Sequence, residues 1–237
     1  MRAFINAYGA KDSLGNDRVS EIRGLLHFGG KPVIQHTLER LADINITPPV
    51  LVYVNKEHEQ SYRAMLSQTP VPVDIQVPSG PTDPVNMYVS GLSQLGIDEH
   101  ALILADDNLF DFSLAGLLKE MERVQSNAVA VRHFSGFPSG KFNFATCNLQ
   151  GGRLIDGSYS FANPGTEHPF VILDIYGVHK QHIPGFVRYK GPNAPPIEQL
   201  AREWFKDFHA WLPKGFWADI GKPVLRQKAE EYFKKLF

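Results

Sequence analysis

A chain of 237 residues with 43% hydrophobic content can bury one large core and is short for two independent ones, so residues 1–237 are expected to form a single domain. With 24 basic against 25 acidic residues the net charge is -1, which excludes a global field that would gather nucleic acid or an anionic membrane; any anion must be bound locally. The single cysteine, Cys147, excludes an internal disulfide, no zinc-type Cys/His spacing occurs, and no apolar run nears the ~20 residues of a bilayer span, so the expected setting is soluble, reducing and cytoplasmic.

Short β-rich runs alternate with helical periodicity, the pattern that builds a mostly parallel sheet covered by helices. Ala3 to Ala7 reads as the first strand. Val33, Ile34, Leu38 and Leu41 then recur at helical spacing behind Gly29 and Gly30, with Pro32 suited to a first helical turn. Val50 to Val54 predicts a second strand, Glu57 to Leu66 a helix, Val73 to Val77 a third strand and Val85 to Leu95 another helix. Ala101 to Leu104 reads as a buried strand running out into Ala105-Asp106-Asp107-Asn108, and Phe112 to Val124 follows as an amphipathic helix with Ser113 as its cap.

The second half is more β-like, with strands expected over Ala128 to Arg132, Phe142 to Asn148, Arg153 to Ile155 and Val171 to Val178. Ile197 to Phe208 predicts a helix, and Trp204, Phe205, Phe208 and Trp211 at helical spacing point to a core or interface face. Pro223 to Phe237 closes the chain as a lysine- and glutamate-rich amphipathic helix. Ser135 to Gly140, Asn163 to Pro169 and Gly191 to Pro196 are rich in Gly and Pro and read as loops around a cleft.

An acidic pair directly after a buried strand sits at the carboxyl end of the sheet, where open α/β folds bind their ligands, and Asp106 and Asp107 hold that position. A lone Asp-Asp-Asn would be read as a turn or helix cap. A second carboxylate shifts the balance: in Trp217-Ala218-Asp219-Ile220-Gly221, an acid between two apolar side chains requires a cation or a dense hydrogen-bond set if buried. Two carboxylates converging on one hard cation suit Mg2+, which commonly takes one or two carboxylates plus substrate phosphates. No Ser/His/Asp or Cys/His constellation competes, and His27, His133 and His179 read as structural or surface residues.

Taken in order, Leu25-Leu26, then Gly30-Lys31-Pro32-Val33-Ile34 and a helix, then Leu104 to Phe110 as LADDNLF, then Phe216 to Pro223 as FWADIGKP before a last helix, resemble the sugar-1-phosphate nucleotidyltransferase family over almost the whole chain. The resemblance implies a Rossmann-like α/β fold with a mixed, mostly parallel sheet flanked by helices, and transfer of a nucleotidyl group from a nucleoside triphosphate to a phosphorylated small-molecule acceptor with release of pyrophosphate. It places the family's metal aspartates on Asp107 and Asp219, a catalytic cation on Arg23, and the nucleotide on Ala7, Tyr8, Gly9, Lys11, Gln76, Gly80 and Asp106. Asn143, Asp156 and Trp217 fall at acceptor-binding positions. Mg2+ is the implied cofactor, no nucleic acid or membrane partner is implied, and a homo-oligomer stays open.

The phosphate loop departs from the family pattern: Tyr8 to Leu14 carries Ser13 where the family has arginine, and Asp12 adds negative charge, so the loop is expected to bind triphosphate weakly. No Glu-Lys-Pro occurs between Leu154 and Pro169 where the family binds its sugar, leaving Asp156 and Lys141 as stand-ins. Two alternatives therefore stand beside the nucleotidyltransferase: a catalytically impaired homologue that binds nucleotide or sugar nucleotide and regulates a partner, and a metal-dependent glycosyltransferase.

Overall fold

The computed structural model describes residues 1–8, 21–78, 84–133, 144–160, 169–188 and 206–236, with backbone alone at 84–86, 144 and 156–160. In chain order the elements are β1 (Arg2–Ala7), the short hairpin β2 (His27–Phe28) and β3 (Lys31–Pro32), α1 (Val33–Ala42), β4 (Val50–Val54), α2 (Glu59–Met65), β5 (Val73–Gln76), α3 (Pro84–Leu95), β6 (Ala101–Ala105) and β7 (Asn108–Phe110). There follow α4 (Ala115–Val124), β8 (Asn127–His133), β9 (Phe144–Gln150), β10 (Arg153–Ser160), β11 (Phe170–Val178), α5 (Ile183–Val187), β12 (Phe208–Trp211), β13 (Trp217–Asp219) and α6 (Pro223–Leu236). The class is α/β, as the alternation of periods predicts. Two compact units divide the chain. Among the described residues no helix is long and apolar enough to cross a membrane.

One unit comprises Arg2–Gly80, Leu104–Leu114 and Lys214–Phe237. Its strands β5, β4 and β1 lie side by side and parallel, with Phe4 opposite Leu51 and Val50 opposite Val73. All five residues of β4, Val-Leu-Val-Tyr-Val, are buried, as a central strand covered on both faces requires. Helix α1 buries Val33, Ile34, Thr37, Leu38 and Leu41 on one stripe and packs on β7. Pro32 stands one residue before this helix, with extended backbone, and closes β3.

A two-stranded ladder carries the sequence's acidic motifs. β7 and β13 pair antiparallel, with Trp217 opposite Phe110 and Asp219 opposite Asn108. Asp111, just beyond β7, accepts the Phe216 N–H at 2.7 Å and the Tyr232 hydroxyl, and the Phe216 and Tyr232 rings stack at 4.1 Å. These contacts fasten α6 to the ladder. Sequence periodicity alone does not reveal either strand, because three residues are too few to show alternation.

The other unit comprises Met1, Pro81–Ile103 and Ala115–Pro213. β11 runs antiparallel to β8 and β9, β12 runs parallel to β8, and β9 turns into β10 through Gly151 and Gly152, both at positive φ as a two-residue hairpin turn demands. Here one expected element is corrected. Phe208 and Trp211 belong to a strand, β12, where the helix reading placed Phe208 at a helix end; burial alternates along Phe208, His209, Ala210 and Trp211 with the period of a strand. Trp204, Phe205 and the rest of the predicted helix up to residue 205 lie outside the described residues. Cys147 is buried in β9, and burial pushes its thiol up to about 12, which leaves it an inert core residue.

Three histidines meet in this unit. The His100 and His179 rings are 4.3 Å apart, His182 is 6.2 Å from His179, and the Lys180 backbone N–H donates to His100 Nδ1 at 3.1 Å. Burial first, and then the positive charges of Lys180 and the chain's amino group for His100, and of His100, His182 and Lys180 for His179, hold both pKa values below the ordinary histidine value. Glu122 opposes the shift at His100. Protonating His179 would also charge a ring whose buried Nδ1 has no hydrogen-bond partner among the described residues. A base whose folded pKa is depressed contributes stability that is present above the unfolded value and is lost as pH falls toward the folded one. We therefore expect Tm to fall over the pH window that opens at the ordinary histidine value of about 6.5 and extends below it. The fall should be shallower in His100→Asn; an unchanged wild-type Tm across that window would contradict the assignment.

Candidate active site

The strand β6 ends in the turn Asp106-Asp107, and the two neighbouring carboxylates take opposite environments. Asp106 is 8% exposed; its backbone N–H donates to Asn6 O at 3.1 Å, and its Oδ2 accepts the hydroxyl of Tyr62, a fully buried residue of α2. Burial first, and the Asp107 charge second, push the Asp106 carboxyl up to about 7, while the Tyr62 hydrogen bond and Arg23 pull it down. Burial and the Asp106 charge raise the Tyr62 hydroxyl far above its ordinary value, so it stays a donor.

Asp107 is more open. Its Oδ2 accepts Arg23 Nη1 at 3.1 Å, and its backbone carbonyl accepts the Ile220 N–H at 2.9 Å. That second bond, with the Asp219–Asn108 pairing of the ladder, brings Asp219 beside Asp107. Asp219 Oδ1 accepts the Gly221 N–H at 2.9 Å, and Lys222 Nζ stands 3.6 Å from its Oδ2. Burial lowers the Arg23 pKa, but the charge and hydrogen bond of Asp107, followed by the charges of Asp219 and Asp106, leave it above the ordinary value.

Two glycines make room for this arrangement. A Cβ on Gly24 would collide with Asp106 Oδ2 and stand 2.7 Å from the Tyr62 hydroxyl, so the Arg23–Leu25 turn rests its backbone on the Tyr62–Asp106 pair. A Cβ on Gly221 would stand 2.6 Å from Arg23 Nη1 and 2.9 Å from Asp219 Oδ1. The Arg23 head is thereby placed against both carboxylate-bearing segments.

Of the residues singled out from the sequence, Arg23, Asp106, Asp107, Trp217 and Asp219 come together. Trp217 is 5% exposed and its indole N–H donates to Asn108 Oδ1 at 2.7 Å, which ties the ladder internally. Ala7 ends β1 and Tyr8 follows it, its N–H bonded to Asn6 Oδ1 at 3.2 Å; they continue directly from the residue that holds the Asp106 backbone. Gln76 lies on β5, two strands from β1, with its amide on Asp74 Oδ2 at 2.7 Å. Asp156 is part of β10 in the other unit, opposite Asn148. Gly9, Lys11, Gly80, Lys141 and Asn143 lie outside the described residues, as do Asp12 and Ser13 of the phosphate loop.

Tyr62, Gly24 and Lys222 are the participants that sequence reasoning missed. Tyr62 has the spacing of an ordinary core aromatic, and nothing local to it announces a carboxylate partner 44 residues away. The Arg-Gly dipeptide at Arg23-Gly24 was the available signal, since a glycine beside a cation marks a close backbone approach.

The two carboxylates fit a hard divalent cation by their chemistry: both are oxygen donors, partly exposed at 21% for Asp107 and 15% for Asp219, and their backbone segments are joined by the Ile220 N–H bond to the Asp107 carbonyl. Among the described residues no group of three or more His, Cys, Asp or Glu side chains could hold a metal. Mg2+ commonly completes its shell with substrate phosphate oxygens and water.

The profile of the MobA-like NTP transferase domain family matches residues 16–214. Solved structures match over nearly the full length: a protein assigned as a glucose-1-phosphate thymidylyltransferase from Bacillus anthracis, in complex with sucrose, at TM-score 0.80 and 17% identity, covering 98% of this chain and 95% of that one. HddC from Yersinia pseudotuberculosis, complexed with GMP-PN, follows at TM-score 0.73 and 15% identity, covering 98% and 99%. A UDP-glucose pyrophosphorylase complexed with UDP-glucose matches at TM-score 0.71 and 15% identity, covering 100% and 99%. A comparison with curated proteins finds no significant match. At these identities the solved structures speak for the fold, and the family profile spans most of the sequence: this chain belongs to the MobA-like NTP transferase domain family and has the fold of the sugar-1-phosphate nucleotidyltransferases.

Proposed function

We propose that this protein is a Mg2+-dependent nucleotidyltransferase that joins the nucleoside monophosphate of a nucleoside triphosphate to a sugar phosphate or related phosphorylated acceptor, releasing pyrophosphate. The observation that carries the reading is that Asp107, in the turn before β7, and Asp219, on β13, lie on segments joined by the Ile220 N–H bond to the Asp107 carbonyl, with Arg23 on Asp107 and beside Gly221. In the reaction an oxygen of the acceptor phosphate attacks the α-phosphorus; a new P–O bond forms as the bond between the α-phosphorus and its bridging oxygen to the β-phosphorus breaks, and pyrophosphate leaves with that electron pair. The attacking oxygen is already anionic, so no protein nucleophile or general base is required, and catalysis rests on positioning and electrostatics.

Asp107 and Asp219 would hold Mg2+, which supplies charge neutralisation at the phosphates when bound. Arg23, a planar donor fork, suits the β- and γ-phosphate oxygens, and Lys222 adds positive charge beside Asp219. Tyr62 and Asp106 support the Arg23 turn from beneath. Ala7, Tyr8, Gly9 and Lys11 are proposed to border the triphosphate, Gln76 and Gly80 the base, and Asn143, Asp156 and Trp217 the acceptor. The fold class of neighbours solved with GMP-PN and with UDP-glucose supports nucleotide and sugar-nucleotide ligands for this chain.

The test is pyrophosphate release with each of the four common nucleoside triphosphates, Mg2+ and a panel of phosphorylated acceptors. At least one pair should turn over. Absence of pyrophosphate with every pair, together with retained nucleotide binding, would replace this reading by the regulatory homologue, which the Ser13 substitution in the phosphate loop favours.

A further inference from the structure

Each carboxylate of the proposed metal pair already has a resident cation: Asp107 has Arg23 at 3.1 Å, and Asp219 has Lys222 at 3.6 Å. Counted by formal charge, these two pairs cancel, and the third carboxyl near Arg23, Asp106, is buried with its Oδ2 taken by the Tyr62 hydroxyl. We infer that the cluster is built to refuse a divalent cation on its own and to accept one only together with a nucleoside triphosphate, with Arg23 passing from Asp107 to the phosphates as the ion arrives. The inference rests on the proposed assignment of Asp107 and Asp219 to the metal.

The physical argument is one of competition. A divalent cation entering alone would stand beside a guanidinium and an ammonium whose charges the carboxylates have already compensated, and the like-charge repulsion would act in a site where both acids are mostly withdrawn from water. The Arg23 backbone is braced against the buried Tyr62–Asp106 pair through Gly24, where even an added Cβ would collide with Asp106 Oδ2. Its head is different: the side chain is 36% exposed, and Gly221, which lies beside Nη1, brings no side chain against it. A triphosphate offers this head a bidentate anion of higher charge than Asp107 and so draws it off the carboxylate. The protein's own ligand set points the same way, since among the described residues no third acid or histidine joins the pair. Triphosphate oxygens would complete the shell as Arg23 vacates it. By linkage, the ion must then tighten triphosphate binding by the same factor that the triphosphate tightens the ion.

Calorimetric titration of the full chain with Mn2+ tests this directly and needs no turnover. Wild type alone should bind Mn2+ weakly, and Arg23→Gln at least about tenfold more tightly, within the range usual for coupled sites. Lys222→Gln should move in the same direction, which keeps the test open if the Arg23 variant folds poorly. With non-hydrolysable analogues of the four common nucleoside triphosphates present, wild type should gain Mn2+ affinity and the advantage of Arg23→Gln should vanish. If wild type alone binds Mn2+ as tightly as Arg23→Gln and Lys222→Gln, the inference is overturned while the functional reading stands. If adding Asp107→Asn to Arg23→Gln leaves Mn2+ affinity unchanged, the ion is not on these carboxylates, and both fail.

Discussion

Turnover of Asp107→Asn should collapse by at least about a hundredfold with the fold intact, the scale seen when one preorganised electrostatic group is removed from a transition state. Asparagine keeps nearly the same size and one oxygen, and the backbone carbonyl of residue 107 would still accept the Ile220 N–H that joins the two carboxylate segments. What disappears is the charge that opposes Arg23 and would fix the cation. Stability should change by no more than about 1 kcal/mol, because the ion pair lost is a single-contact, partly exposed one and the Arg23 head can turn toward water. Steady-state kinetics and a thermal melt on the same preparation would check both halves. Near-wild-type turnover in a folded Asp107→Asn would remove Asp107 from the machinery. Asp106→Asn should be much milder, since the amide oxygen can still accept the Tyr62 hydroxyl.

Gly24→Ala should be the most damaging single-methyl change in this region. The added carbon would strike Asp106 Oδ2 and crowd the Tyr62 hydroxyl, and neither is the far end of a mobile side chain: Tyr62 is fully buried and Asp106 is pinned by its backbone bond to Asn6 and its side-chain bond to Tyr62. Forcing extra volume into such packing costs about 1–3 kcal/mol. The Arg23–Leu25 turn would have to lift, so activity should fall along with stability. Gly221→Ala provides the contrast, because its nearest neighbour is Arg23 Nη1, the end of a flexible chain that can swing away. We expect Gly221→Ala to lose activity with a smaller stability loss. Urea unfolding of the two variants side by side would show it, and equal unfolding midpoints would contradict the account.

Much of the fold was legible because its periods are unambiguous. Val50–Val54 is an unbroken apolar run of strand length, α1 repeats its buried residues at helical spacing, and α6 alternates Leu225 and Ala229 inward with charged residues outward. At Phe208 and Trp211 a spacing of three is compatible with a helix, yet pairing with β8 makes them strand residues. Short apolar runs satisfy both periods, and only the neighbouring strand decides between them.

The sequence by itself determined where Asp107 and Asp219 stand, one after a buried strand and one between Trp217 and a glycine turn. It also determined the α/β class and the family motifs. Only the tertiary structure decided which acid of the Asp106-Asp107 pair faces which partner: Tyr62 claims Asp106, and Arg23 claims Asp107. The physical reason is that burial and hydrogen-bond geometry are properties of packed surroundings, and those surroundings come from residues 44 and 84 positions distant, brought in by helix α2 and by the Arg23–Leu25 turn, which no local pattern encodes.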